Sequence, residues 1–324
     1  MHVNEFRQFL GQVQNMTPGQ RKNLIKQAKK VENEHEILSL LEKRSEDNQQ
    51  CPHCGHDQIQ KWGMASGLQR YRCRGCRATF NALTGTPLSR LRHKDKWLDY
   101  AKTLAEGGSV RQAAEHCGVH RNTTFRWRHR FLSLVEKNKP ERLTGIVEAD
   151  ETFFRESLKG KKKDMPRPAR KRGTKAKKRG TSSEYKPVLI MRDRSGVTRE
   201  ELLISTGTQE ISRALKPVVD REAVLCADGG AAYRLFAETE NITLKAVNLS
   251  KGIRVVEEVF HIQNVNAYHS RLKNWMRRFH GVATHYLPNY LGWRRLLEME
   301  KSTLSPQKII LSAQGVPNLH LTMT

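Results

Sequence analysis

Apolar residues recur along this chain with two different periods, and the change between them falls near residue 144. Residues 1–48 carry a helical pattern broken at Met16-Thr17-Pro18-Gly19, where Thr17 suits the cap of a second helix and Pro18 its first turn. "LQRYRC" and "ATFNA", residues 68–73 and 78–82, alternate apolar and polar positions as short strands do. Helical spacing returns over 95–132. "KDKWLDYAKTLAEGG" reads as an amphipathic helix closed by glycines, and "SVRQAAEHCGVHRNTTFRWRHRFL" follows with Ser109 as its cap. From residue 144 the period shortens: "TGIVEADETFF", "KPVLIMRDRSG", "VTREELLI" and "AVLCADGG" predict strands, while "QEISRALKPVV" and "AAYRLFAE" predict helices. Strands first, then strands alternating with helices, imply a mixed sheet with helices packed on it. Further on, "HIQNVNAYHSRLKNW" sets Val265, Tyr268, Leu272, Met276 and Phe279 along one stripe, with Asn266, His269, Ser270 and Lys273 on a polar face.

The cysteines change the picture of residues 49–82. Cys51, Cys54, Cys73 and Cys76 form Cys-x2-Cys-x18-Cys-x2-Cys, the spacing at which two tight turns present four thiolates to one tetrahedral ion. With strands around the second pair, a zinc ribbon holding one structural Zn2+ is expected. His53 and His56 lie near in sequence and are read as surface residues. Six cysteines in 324 residues are too few for a disulfide framework, and Cys117 and Cys226 sit in apolar surroundings suited to burial.

The segment 109–132 fits a helix-turn-helix: Ala113 and Ala114 are small where helices approach, Gly118 sits in the turn, and Val119 and Trp127 face inward. His120, Arg121, Asn122, Thr123 and Arg126 are then nearest a major groove. Thr124 stands where an aliphatic residue is commoner, and two plain packed helices are the alternative.

Charge names the class of partner. Against 33 Asp and Glu stand 58 Lys and Arg, a formal charge of +25, well beyond what solubility needs, and such an excess points to a polyanion, by default nucleic acid. Residues 159–179 hold twelve Lys or Arg and one acid, with Lys161, Lys162, Lys163, Arg170, Lys171 and Arg172 among them. They form the dense part of a basic insertion, 159–186, read as contacting the DNA backbone rather than as a solvated loop. A membrane span needs about 18 uncharged apolar residues in a row, and a signal peptide needs an apolar core; the chain shows neither, so a cytoplasmic, nucleoid-associated protein is expected.

Asp150 in "VEADET" and Asp228 in "VLCADGG" each fall at or near a strand end. Two carboxylates brought together by adjacent strands repel each other, and divalent cations relieve that repulsion. Pairs of Mg2+ about 3.5–4 Å apart serve in-line phosphoryl displacement at such sites. Either aspartate alone is ambiguous, because Asp-Gly is also a turn signal.

The order of a zinc ribbon, a helix-turn-helix, "EADETFF", a basic loop, "PVLIMRDRSG", "ADGGAAY" and "NVNAYHSRLKNWMRRFHGVATHYLPNYLGWRR" resembles bacterial insertion-sequence transposases of the DDE type over residues 50–300. It is similar in particular to the group in which the third acid is replaced by Asn, with Lys seven residues later. The resemblance implies an α/β fold: an RNase H-like mixed sheet with flanking helices, preceded by helical arm, zinc ribbon and helix-turn-helix modules. The corresponding boundaries are 1–48 for the helical module, 49–90 for the ribbon, 91–140 for the helix-turn-helix, 141–305 for the catalytic domain and 306–324 for a tail. It further implies Asp150, Asp228 and Asn266 as ligands of two catalytic Mg2+, with Mn2+ as substitute. Asp150 would bridge the ions, and Lys273 would serve as the basic residue toward a DNA phosphate. His269 and Arg271 join the DNA contacts.

The expected activity is recognition of element terminal repeats in double-stranded DNA, metal-dependent strand cleavage and transfer of the freed 3′-hydroxyl to target DNA, carried out by a homodimer or higher oligomer. The alternatives are a sequence-specific DNA-binding regulator, a decayed transposase, and a nuclease using the same metal chemistry. Glu257, Glu258, Glu298 and Glu300 stand as other candidates for the third acid.

Overall fold

The computed structural model describes residues 2–47, 50–161, 163–168, 182, 184–248 and 252–315. They divide into two compact units, one of residues 1–131 with 305–324 and the other of residues 132–304.

In the first unit, α1 (Val3–Val13) and α2 (Pro18–Asp47) are separated at the predicted break. Thr17 and Gln20 cap α2 reciprocally, Gln20 N–H donating to the Thr17 hydroxyl (3.3 Å) and Thr17 N–H to Gln20 Oε1 (2.8 Å). Strands β1 (Ile59–Ala65), β2 (Leu68–Cys73) and β3 (Thr79–Phe80) form an antiparallel sheet in that order. Ser66 and Gly67, both at positive φ, turn β1 into β2. Gly67 is also where α2 comes closest, since a Cβ there would lie 2.7 Å from Leu38 Cδ1. Ile37 and Leu41 are fully buried, and Glu42 accepts the Gln69 N–H at 2.6 Å, so the C-terminal half of α2 is docked on the sheet rather than forming a free arm.

Three helices follow: α3 (Trp97–Ala105), α4 (Val110–Cys117) and α5 (Arg121–Lys137). Trp97, Tyr100, Trp127 and Phe131 meet edge to face in their shared core. The tail expected over 306–324 is corrected over its first part. Ser305 caps α10 (Pro306–Ala313), which packs on α3 with Ile309, Ile310 and Ala313 buried. Its short apolar run is a helix because Pro306 occupies the first turn and the apolar positions find a partner surface.

The second unit is built on five strands: β4 (Ile146–Arg155), β5 (Tyr185–Asp193), β6 (Thr198–Leu202), β7 (Val224–Ala227) and β8 (Thr243–Ala246). Their order is β6-β5-β4-β7-β8, with β4, β5 and β6 antiparallel and β4, β7 and β8 parallel. This is the RNase H-like arrangement, with the first strand in the middle. β8 was not anticipated from the sequence, because four residues as polar as "TLKA" give little alternation to read.

Alternation along β4 assigns its two faces. Val147 and Ala149 enter a core with Leu189 of β5, Leu225 of β7, and Ile211, Leu215 and Phe236, the last three from α6 (Thr208–Leu215) and α7 (Ala231–Glu240). Glu148 and Asp150 leave from the other face, toward α8 (Gln263–Arg277). The last helix, α9 (Leu287–Glu300), lies against β6.

Candidate functional site

β4 and β7 run parallel with Glu148 opposite Cys226, so Asp228, two residues on, follows the strand end on the side of Asp150, and its charge acts on the Asp150 carboxyl. The strand signal in "VLCADGG" ends one residue early: β7 stops at Ala227, leaving Asp228 exposed in the turn. Its Oδ1 accepts the Gly230 N–H at 2.8 Å. Gly229 has φ +75 and a Cβ there would meet Ala246 Cβ at 2.8 Å, so the turn into α7 requires glycine. Asp150 is pushed up to about 7 by burial first, then by Glu151 and Asp228, against the pull of the Glu151 N–H and Lys273. Burial and the neighbouring acids make ionisation of Asp150 costly, a cost that a bound cation would reduce.

The α8 face expected to be polar is turned toward Asp150. His269 Nδ1 lies 3.7 Å from Asp150 Oδ2. Its ring is buried, and Nε2 has no hydrogen-bond partner among the described residues. Burial, then Lys273, lower the imidazole to about 4, against a hydrogen bond to the Asp150 main chain, so the ring is neutral at pH 7. The sequence pattern grouped His269 with surface residues; its burial shows that the apolar face is wider than the five-residue stripe. Asn266, half-buried, stands one turn before His269, and exposed Lys273 one turn after it. These three share a face by spacing, and the histidine shows which way that face points.

Three acids that the sequence left unassigned hold this arrangement. Glu148, fully buried, accepts the Val265 N–H (3.0 Å) and Asn264 Nδ2 (2.8 Å) at the start of α8, and pairs with Arg194 (3.2 Å). Glu200 on β6 accepts the Tyr268 hydroxyl (2.8 Å) and the Arg295 guanidinium, which also donates to the carbonyls of Val135, Glu136 and Asn138. Glu151 accepts the Tyr233 hydroxyl of α7 at 2.8 Å. An acid at every second position of an otherwise apolar strand was the available signal for Glu148.

Three of the other four candidates for the third acid have partners elsewhere. Glu257 pairs with Lys245, and both Glu257 and Glu258 sit at positive φ. Glu298 lies among Arg192, Arg271 and Arg294, and Glu300 accepts the Thr303 hydroxyl at 3.0 Å. Arg271 therefore faces Glu298 and the Tyr268 ring rather than the Asn266 side of α8.

In the first unit the four predicted thiols converge. Their sulfurs all lie within 4.8 Å of one another, with Cys51–Cys76 at 3.7 Å and Cys54–Cys73 at 3.6 Å. A tetrahedral ion with Zn–S bonds of about 2.3 Å separates its sulfurs by about 3.8 Å, so the donor set fits. Burial opposes ionisation of Cys51, but the main-chain N–H groups of His53 and Cys54 outweigh it and lower the thiol to about 7. His53 and His56 are exposed as expected, with His56 Nδ1 accepting the Gln58 N–H at 3.0 Å.

The turn of the helix pair also takes the expected form. Ser109 caps α4 in a capping box with Gln112, and Gly118 closes it at φ 58. Thr124, odd by pattern, is fully buried, and its hydroxyl donates to the carbonyls of Val110 (3.0 Å) and Arg121 (3.1 Å), tying α5 to the start of α4. His120, Arg121, Asn122 and Arg126 are exposed, and Thr123 is half-buried. Cys117 and Cys226 are buried, each raised to about 11 chiefly by burial. Lys161 and Lys163 are exposed, whereas Lys162, Arg170, Lys171 and Arg172 lie outside the described residues. Among the described residues no helix is long and apolar enough to cross a membrane.

An RNase H-like sheet together with a helix-turn-helix unit fits a transposase of the insertion-sequence class. A family model described as the ISXO2-like transposase domain matches residues 142–294, and one described as a homeodomain-like domain matches residues 93–143. A relative from Halobacterium salinarum, described as an uncharacterized protein in transposable element ISH50, is 30% identical over 245 residues, 74% of this chain and 82% of the relative. The chain belongs to the ISXO2-like transposase family. It is similar, at 14% identity and a TM-score of 0.24, to the pre-cleavage Mos1 transpososome, over 66% of this chain and 78% of that one. The Mos1 mariner paired-end complex with Mn gives 16% identity and a TM-score of 0.20 over the same shares of the two chains. The fold assignment rests on the strand order and on the family.

Proposed function

We propose that the protein binds the terminal repeats of its own element in double-stranded DNA, cleaves a strand there, and joins the freed 3′-hydroxyl to target DNA. The observation that carries this reading is the pairing of β4 with β7, which brings the charge of Asp228 to act on Asp150 under the α8 face bearing Asn266, His269 and Lys273.

Asp150, Asp228 and the Asn266 amide oxygen would hold two Mg2+, or Mn2+ in their place. The ions, when bound, would activate the attacking oxygen and neutralise charge on the leaving oxygen. The protein's own contribution is placement. The Glu148 clamp fixes the start of α8, Lys273 offers a cation to the DNA phosphate, and His269, neutral and with Nε2 unpartnered among the described residues, offers a donor or acceptor beside Asp150. A neutral third ligand would weaken the hold on metal without removing it, because two aspartates remain.

End recognition belongs to the first unit. One Zn2+ on Cys51, Cys54, Cys73 and Cys76 would hold the ribbon together, and His120, Arg121, Asn122, Thr123 and Arg126 would approach the groove. The basic insertion adds backbone contacts, Arg271 keeps to Glu298 until DNA competes for it, and a homodimer or larger assembly brings two ends together. The setting is the cytoplasm, on the nucleoid.

The test is purified protein with Mg2+ and a labelled element end. Nicking and joining are expected from the wild type, with neither from Asp150→Ala or Asp228→Ala while end binding persists. End binding without any nicking by the wild type would leave the DNA-binding regulator or decayed transposase; nicking without joining would leave a nuclease.

A further inference from the structure

Asn266 leaves the proposed metal pair one negative charge short of a three-carboxylate site, and the missing charge has a source on the same strand. Glu151 follows Asp150, so its side chain leaves β4 on the α7 side, where the Tyr233 hydroxyl holds Oε1 at 2.8 Å. Register places Ala227, the last residue of β7, beside Ala149. Past that point β4 has no strand on this side. Asp150 and Glu151 therefore leave β4 on opposite faces just beyond the end of β7, and the charge of Asp228, which follows that end, is felt by both. The crowding is electrostatic as well. Burial, then Asp228 once the Tyr233 bond is set against it, raises Glu151, and Glu151, Asp150 and Asp228 all add to the burial that raises Tyr233.

Among the described residues no cation pairs with Glu151. A carboxylate held in place by a neutral phenol, next to two more carboxylates, is costly unless a cation arrives. On the α8 side of β4, His269, nine-tenths buried against Asp150, keeps Nε2 without a partner among the described residues.

We infer that Glu151, oriented by Tyr233, supplies the third negative charge of the site and is a positioning residue for the divalent cations held by Asp150 and Asp228. This rests on the metal reading proposed above. Glu151 acts on the ions through their field and through their bound water, so what it changes is affinity for the metal before any DNA is present.

The experiment is a calorimetric titration of the full-length, zinc-loaded protein with Mn2+ alone. Glu151→Gln should weaken Mn2+ binding by about 10-fold, the loss typical of groups that support a metal's direct ligands. Tyr233→Phe should weaken it by less. Asn266→Asp, which restores a carboxylate, should tighten binding, and the double variant Glu151→Gln/Asn266→Asp should return close to the wild type. Unchanged affinity in Glu151→Gln overturns the inference. So does a double variant no tighter than Glu151→Gln alone, because then the glutamate serves packing with Tyr233 rather than charge. If Asp150→Ala and Asp228→Ala abolish Mn2+ binding while Glu151→Gln leaves it intact, only this inference fails. If the aspartate variants bind as the wild type does, the metal reading fails with it.

Discussion

Glu148 and Asp150, two residues apart on one face of β4, each hold a different turn of α8: the first accepts the Val265 N–H at 3.0 Å, and the second lies against His269. Two contacts along one strand fix both where the helix begins and how it is rotated. The candidate catalytic face depends on that rotation.

Glu148→Ala should destabilise the protein by about 3 kcal/mol, because it strands the Val265 N–H and the Asn264 amide and leaves Arg194 without its buried partner. Urea denaturation measures the loss. Strand cleavage should fall even below the midpoint concentration, since α8 would no longer be held at its start. Stability within about 0.5 kcal/mol of the wild type would show that the clamp is dispensable.

Asp150→Asn should stabilise the protein while ending catalysis. The carboxyl of Asp150 is raised to about 7 in the folded chain. Between about 4 and 7 the folded state therefore holds a proton that the unfolded state has lost, and stability falls as pH rises through that window. Without added magnesium the amide should gain about 1–3 kcal/mol at pH 8 and almost nothing at pH 4, read from denaturation curves at the two pH values. A gain of equal size at both would mean that ionisation is not its source.

Removing zinc, or replacing Cys51 by Ser, should open residues 49–82 to proteolysis and weaken end binding, while the sheet of the second unit keeps its unfolding transition. Among the described residues Phe80, Ile59 and Tyr71 pack with the buried cysteines in a small cluster, which the metal would tie together. An unchanged proteolytic pattern after chelation would count against a structural ion.

Deleting residues 159–179 removes twelve cationic side chains. The logarithm of DNA affinity should then depend less steeply on the logarithm of salt, by about 0.9 for each phosphate that the shortened protein no longer neutralises. Affinity measured across a salt series gives the slope, and an unaltered slope would place the insertion away from the backbone.

Much of the site could be read in advance because its signals are local. Cysteine pairs three residues apart, the Ser109 cap and Gly118, and the spacing of Asn266, His269 and Lys273 each depend on neighbours within a turn or two. What escaped reading lacked such a pattern. "TLKA" becomes β8 because β7 offers it an edge, α10 forms where α3 offers an apolar surface, and Thr124 looks wrong until its hydroxyl finds the Val110 carbonyl.

The residue order by itself determined the zinc-type thiol cluster, the helix pair with its exposed basic face, the central strands and the side of α8 that is polar. Only the tertiary structure decided that this side meets Asp150, that His269 is buried there, and that Glu148 and Glu200 lock the helices in place. The bonds responsible join residues 117 apart, as in Glu148 to Val265, and 95 apart, as in Glu200 to Arg295. Periodicity within one element says which face is apolar, but which partner that face meets is settled only when the layers pack and every buried charge must find its counterpart.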